Sequence, residues 1–413
     1  MPKGFYFLIL AQFASGLADN AFLILGVFFL QEQGYAGWWA PLLKFSLTLS
    51  YVLLASVVGP VADAFRKSHL MAAMNFLKLT GVVLLLSGAF PLLAFALTGL
   101  AAALYAPAKY GLVSESVPTP LLVKANAWLE VSVVLSVMLG VALGGWLIHW
   151  QPLAQSWGPG PDDTPWLQWW VPTRILGALG VVCCIYGVSA VLNLGLNRLN
   201  AVRHHDWSWK DMRWSLFWEN NRQLWADPLG GVSLYVTTLC WGVGAVLQFA
   251  VLVWAQKNAG LSLQQGAYLQ AVVALGVMGG AAMAACTCRI FNARRALWWG
   301  LVMAALLPCM AITHTLWVAV PMLLLAGWSG GMLLVPMNAL LQHRGLKIMN
   351  PGRSIAVQGF NENLSVLLML GAYSILLAWE VPLLPIMGLF ALPLLAAAQP
   401  WRLIRARRRA SNF

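Results

Sequence analysis

Apolar residues run along this chain in long stretches, each bounded by charge, proline or a polar cluster. About twelve such stretches, near residues 6–30, 41–62, 70–88, 91–111, 125–149, 171–193, 228–255, 265–288, 296–314, 316–338, 354–378 and 381–400, predict spanning helices. A hydrocarbon core takes about 20 apolar residues per helix, and these runs are long enough. The first follows Lys3 and continues past Asp19-Asn20 to Leu30 with no small-residue cleavage site, so it reads as a retained first span rather than a signal peptide.

An even number of spans places both termini on one side. Lys3, Arg66, Lys67, Lys109, Lys124, the Arg198–Arg222 and Arg289–Arg295 segments, Arg344–Arg353 and Arg402–Arg409 fall in or beside alternate loops, which makes those loops and both termini cytoplasmic. The opposite side carries Glu32, Asp162, Asp163, Glu380 and a Trp/Pro-rich hairpin over Trp150–Pro172, suited to an outer aromatic belt.

Composition agrees. Of the 413 residues 60% are hydrophobic and 9% charged, against roughly a quarter charged in soluble domains. A soluble enzyme is excluded, and no room is left for a sizeable domain outside the membrane. The formal net charge of +12 reads as basic loops against anionic lipid, with no nucleic-acid partner. The six cysteines read as small core residues, and Cys286-x-Cys288 lacks a second ligand pair at zinc spacing.

The one long connection, residues 194–227, holds Trp207, Trp214, Trp218 and Trp225. At about 100° per residue the four fall within about 20° of one line, which predicts a helix lying in the cytoplasmic interface. It divides the chain into a six-helix bundle over 1–193, the linker over 194–227, a second bundle over 228–401 and a basic tail over 402–413. The halves echo each other. Pro107-Ala108-Lys109 precedes Asn126-x-x-x-Glu130 and Met138-Leu139-Gly140; Pro336-Met337-Asn338 precedes Gln358-x-x-x-Glu362 and Met369-Leu370-Gly371. A duplicated six-helix unit follows.

A charge at mid-membrane costs at least about 2.5–3.5 kcal/mol, so each one is a functional candidate. Asp19, with Asn20, lies midway along the first span, needs a partner on another helix or a wet cavity, and is a candidate for substrate contact or gating. Lys109 follows Pro107, which frees backbone carbonyls, and could hold a phosphate or pair with Asp19 in one conformation. Glu130 and Glu362 each lie four residues after an amide, Asn126 or Gln358, and share its helix face. Asn363 enriches the second cluster, and Asn338 closes the tenth span. These carboxylates could take a cationic headgroup, carry a proton or bond a neighbouring helix. Lys78, one turn after Asn75, reads as a structural polar residue of a peripheral helix, and Glu115 sits near the inner mouth of the fourth span.

Asp63, with Arg66 and Lys67 after it, could form a charge relay latching neighbouring helices. No H-x-x-x-x-D box, HExxH, phosphate-binding glycine loop or GxSxG is present, which argues against an enzyme. His204-His205-Asp206 has no ligand cluster around it. No metal and no cofactor is expected.

The run Gly59-Pro60-Val61-Ala62-Asp63-Ala64-Phe65-Arg66-Lys67 resembles the signature loop of the major facilitator superfamily, keeping Gly59, Asp63 and one basic position but having Ala64 and Arg66 where Arg and Gly are usual. Within that superfamily, Gly16-Leu17-Ala18-Asp19-Asn20-Ala21, Tyr105 to Gly111, Leu122 to Asn126, Val335 to Gln342 and Ser354 to Asn363 resemble the bacterial lysophospholipid transporter family of the Gram-negative inner membrane. The resemblance runs from the first span to the eleventh. It implies a twelve-helix, all-α fold and inward movement of lysophosphatidylethanolamine and lysophosphatidylglycerol for reacylation by a cytoplasmic-side acyltransferase. That partner is expected to be a separate chain. The residues suit such a cargo, with Lys109 for the phosphate and Asp19, Glu130 or Glu362 for an amine. The single acyl chain stays near lipid while the headgroup crosses. Two other readings remain open at this stage: a proton-coupled exporter of amphiphilic drugs, and a non-transporting scaffold or acyltransferase subunit.

Overall fold

The structure is a computed structural model that describes residues 1, 3–35, 39–87, 90–149, 173–198, 209–261 and 263–397. The Trp150–Pro172 hairpin, His204 to Asp206, Trp207 and the tail from Arg402 lie outside the described residues. Those described are mostly helical. In chain order the helices are α1 (Lys3–Glu32), α2 (Trp39–Leu53), α3 (Ala55–Ala64), α4 (Lys67–Leu86), α5 (Pro91–Ser116), α6 (Leu122–His149), α7 (Thr173–Leu194), α8 (Trp214–Ala226), α9 (Gly230–Lys257), α10 (Leu263–Thr287), α11 (Leu297–Ile312), α12 (Leu316–Ile348), α13 (Pro351–Ala378) and α14 (Leu383–Ala397).

Among the described residues, ten helical segments are long and apolar enough to cross a membrane. The second expected span is broken: α2 and α3 meet at 67°, with Leu54 between them. The twelfth, within α14, is a shorter apolar helix over Leu383–Ala396. Each expected span therefore corresponds to helix, and α8 is the extra element in the long connection. At about 1.5 Å per residue, α1 and α12 are each longer than a hydrocarbon core of about 30 Å. Large apolar side chains such as Phe7, Phe76, Trp146, Phe249, Trp317 and Leu368 are exposed, as expected where the surrounding solvent is lipid.

By packing, the chain forms two compact units, Met1–Ser116 with Leu135–Arg213, and Val117–Val134 with Trp214–Phe413. The beginning of α6 thus belongs to the second unit and its continuation to the first. Helix pairings repeat between the two sequence halves. In the first, α2 packs on α5, α4 on α5 and α4 on α7; in the second, the equivalent spans pack as α10 on α12, α11 on α12 and α11 on α14.

Small residues bring certain helices together. Gly276 and Gly280 of α10 face Gly327 and Gly331 of α12, and a Cβ at any of the four would collide with backbone of the facing helix. In the first unit Gly140 and Gly144 of α6 lie against Leu17 and Ala21 of α1, with only 2.6 and 3.0 Å from a built Cβ to their carbonyl oxygens. Between lipid-bathed helices the hydrophobic effect gives little drive, and such close backbone contact supplies the dispersion energy instead.

The cysteines differ from expectation. Only Cys240 is buried, while Cys184, Cys286 and Cys309 are exposed. An apolar stretch does not fix which side of a helix faces its neighbours, and a thiol on the lipid side has no penalty to avoid.

Candidate functional site

Two polar clusters form inside the helical packing, one in each unit. The first is built on four helices. Ser15 and Asp19 lie four residues apart on α1, Asn75 and Lys78 three apart on α4, and Tyr186 and Ser189 three apart on α7, so each pair shares a helix face. Tyr105 comes from α5. The Lys78 ammonium, only 1% exposed, reaches Asp19 Oδ2 at 2.7 Å and Ser15 Oγ at 2.9 Å. It also stands 5.1 Å from the Tyr105 ring centroid and 5.6 Å from that of Tyr186. The Tyr186 hydroxyl donates to Asp19 Oδ1 at 2.7 Å. Ser15 donates to Asn75 at 2.9 Å, Asn75 to Ser189 at 2.8 Å and Ser189 to the Ala11 carbonyl at 2.7 Å.

The partner required by Asp19 is therefore Lys78, which sits at the centre of the network. Asp19 retains 32% side-chain exposure, so the cluster opens at its carboxylate. Asn20 instead bonds the Gly16 carbonyl of its own helix at 2.8 Å. Lys109 is buried on α5, with its ammonium 4.3 Å from the Tyr110 ring centroid.

Near the break between α3 and α4, Asp63 is buried at the end of α3, Arg66 is exposed, and Lys67 opens α4. Lys67 pairs with Glu115 in the last turn of α5 at 2.7 Å. Each of these charges sits at the unfavourable end of its own helix dipole, cation at an N-terminus and anion at a C-terminus. Their mutual pairing offsets both.

The second cluster repeats one spacing three times. Asn126 and Glu130 on α6, Asn338 and Gln342 on α12, and Gln358 and Glu362 on α13 are each four residues apart. Asn126 and Gln342 exchange two hydrogen bonds of 2.9 Å. Gln358 donates to Asn338 at 2.8 Å and to Glu362 at 2.7 Å. Thr237, whose hydroxyl donates to the Leu234 carbonyl at 3.2 Å, lies near the Glu362 carboxyl, and Glu130 and Glu362 lie within electrostatic range of each other and of Cys240. Asn363 bonds the Gly359 carbonyl on its own helix.

Beside this cluster lies α8. Trp214, Trp218 and Trp225 are exposed, while Phe217, Asn220, Asn221 and Leu224 on the other face are buried. Asn361 of α13 donates to Asn221 at 2.8 Å and accepts from the Trp225 indole at 3.2 Å. Asp227, after α8, accepts from the Gly230 and Leu229 amides at the start of α9 and pairs with the Arg344 guanidinium. Burial alone would raise its pKa, but Arg344 and the two amides outweigh this and hold the carboxyl below the usual range.

A depressed folded-state value means that Asp227 contributes stability above its unfolded value of about 4, and that this is lost as pH falls through the folded value. The difference in melting temperature between wild type and Asp227→Ala is expected to stay constant from about pH 8 to about pH 5 and to shrink below about pH 4. An undiminished difference at about pH 3 would show that the carboxylate charge plays no part.

Residues 8–367 match the family model described as the Major Facilitator Superfamily. Lysophospholipid transporters of Shigella flexneri and Escherichia coli are 35% identical to the chain over 401 and 402 residues, covering 97% of it and 95% of each relative. The chain belongs to the lysophospholipid transporter family of that superfamily. The Klebsiella pneumoniae relative of the same name is 35% identical over 382 residues, 92% of this chain and 90% of its own. Among solved structures, the Escherichia coli fucose:proton symporter superposes with a TM-score of 0.74 at 14% identity over 98% of both chains. A bacterial homologue of the iron transporter ferroportin gives 0.72 at 15%, over 98% of this chain and 100% of the other. Likeness at these identities speaks for the superfamily fold alone.

Sequence reasoning assigns no role to Tyr105, Tyr186, Ser15, Gln342 or the Asp227–Arg344 pair. A signal exists for some: Tyr186 and Ser189 recur at helical spacing inside an apolar span, as do Ser15 and Asp19. Gln342 lies four residues after Asn338 in the same way.

Proposed function

We propose that the protein transports lysophospholipids across a Gram-negative inner membrane, moving lysophosphatidylethanolamine and lysophosphatidylglycerol from the outer to the inner leaflet. The observation that carries this reading is the 35% identity, over almost the full chain, to transporters named for lysophospholipids. The lipid enters laterally, its acyl chain remaining near lipid, and the two halves alternate in exposing a polar path. Lys109 serves the phosphate. Asp19, Glu130 and Glu362 are the candidates for an amine, and Asn20, Asn126, Asn338, Gln358 and Asn363 line the path. Asp63, Arg66, Lys67 and Glu115 form a charge relay on the cytoplasmic side, where both termini lie. No cofactor and no catalysis enter; reacylation falls to a separate acyltransferase.

The test is uptake of labelled lysophosphatidylethanolamine into spheroplasts at matched expression, with and without an uncoupler. Wild-type uptake is expected to survive the uncoupler and to fall about tenfold or more in Asp19→Ala and in Lys109→Ala, the scale of one lost charge-assisted hydrogen bond. Absence of wild-type uptake would overturn the lipid reading. Collapse of uptake by the uncoupler alone would favour a proton-coupled exporter.

A further inference from the structure

The first-unit cluster has the composition of an ammonium receptor whose occupant is supplied by the protein. A cationic amine is recognised by a carboxylate, a hydroxyl acceptor and the faces of aromatic rings within about 6 Å of its nitrogen. The Lys78 nitrogen has this complete set: Asp19 at 2.7 Å, Ser15 at 2.9 Å, and the Tyr105 and Tyr186 rings at 5.1 and 5.6 Å. Tyr186 also donates to the other oxygen of Asp19, fixing the carboxylate toward the cage. Both rings are buried, and the Asp19 carboxylate forms the open side.

We propose that this cage is the binding site for the primary ammonium of the lipid headgroup, and that Lys78 is a tethered occupant which the headgroup displaces. The idea rests on the lipid-transport reading for the identity of its substrate. The exchange balances in charge. The incoming ammonium takes the place of Lys78 against Asp19, and the released Lys78 ammonium meets the phosphate of the same zwitterion together with Lys109, which lies one turn after Tyr105 on α5. No buried charge is left alone at the end of the exchange, the condition under which breaking a buried pair is tolerable. A free amine without a phosphate gives the released lysine no partner and must also compete with a tethered group at high effective concentration. It is therefore a poor ligand of the wild type.

The test uses ethylammonium chloride as probe on the purified full chain. In Lys78→Ala the cage has lost its occupant and Asp19 its counter-ion, and the space of the lysine stem is open. Millimolar ethylammonium is expected to raise the melting temperature of this variant, while equal sodium chloride does not. Wild type and the double variant Asp19→Asn/Lys78→Ala are expected not to respond. Ethylammonium is added at extraction if Lys78→Ala proves too unstable to purify; recovery of a monodisperse peak with ethylammonium but not with sodium then counts as the rescue. Absence of an ammonium-specific rescue in Lys78→Ala, or an equal response in the double variant, overturns the proposal. Rescue in a protein that fails to take up lysophosphatidylethanolamine would leave the cage standing and remove the lipid reading, so the two failures are separable.

Discussion

Lys78→Met is expected to destabilise the first unit by about 3 kcal/mol, and Asp19→Asn added to it is expected to restore most of the loss. Breaking a buried ion pair from one side costs roughly 3–5 kcal/mol, because the remaining charge keeps its desolvation penalty without its partner. The Asp19 side chain is 32% exposed, so water recovers part of that penalty and the lower end of the range applies. Methionine approximates the lysine stem in volume, which limits the contribution of a packing void. With both charges gone, Ser15 and Tyr186 still find neutral hydrogen-bond partners, in the amide introduced at position 19 or in Asn75 nearby. Denaturant titration or thermal melts in detergent on the two single variants and the double give the coupling directly. A coupling energy below about 0.5 kcal/mol would mean that the pair contributes little and that the observed geometry has no energetic weight.

Gly327→Ala is expected to be as damaging as Gly280→Ala on the facing helix, a Cβ at either position colliding with a backbone carbonyl oxygen. A Cβ at Gly327 falls on the carbonyl oxygen of Val273 in α10, and the obstacle is backbone, which has no rotamer to move to. The helices must separate along the whole Gly276, Gly280, Gly327 and Gly331 contact, for a loss of about 1–3 kcal/mol, the range for overpacking. Gly330→Ala, three residues along the same helix, meets nothing within 4 Å. There the substitution is expected to be neutral or to gain up to about 1 kcal/mol from helix propensity. Melting temperatures of the two alanine variants, measured side by side, decide the matter. Equal effects would show that close backbone approach does not hold α10 to α12.

How much of this is legible in the sequence follows from the range of the interactions. The spans are readable because a helix satisfies its own backbone, and its apolar length alone meets the membrane's demand. Within α8 the spacing of Trp214, Trp218 and Trp225 belongs to one helix, and the three are exposed together, while Trp207 lies outside the described residues. The break at Leu54 between α2 and α3 is not readable, since both sides of it are equally apolar. The counter-ion of Asp19 is hidden as well. Lys78 is 59 positions away, and which residue meets which across helices depends on helix rotation, which packing sets and hydropathy does not encode. Sequence alone therefore makes Lys78 a peripheral structural residue, although it occupies the centre of the first cluster. In the second cluster the spacing of acid and amide can be read on each helix separately. The reciprocal bond between Asn126 and Gln342, 216 positions apart, cannot.

That reciprocal bond has an electrical consequence. Asn126 and Gln342 are both neutral, so parting them and joining them again moves no charge through the membrane field. The Asp19–Lys78 pair, if its occupant is exchanged for another ammonium as a unit, is balanced too. A charge crossing the membrane potential exchanges about 2.3 kcal/mol per 100 mV, and neither of these contacts takes part in that exchange. Any voltage dependence in the transport of a zwitterionic lysolipid would then report on the remaining intramembrane charges, Lys109, Glu130 and Glu362, rather than on these two contacts.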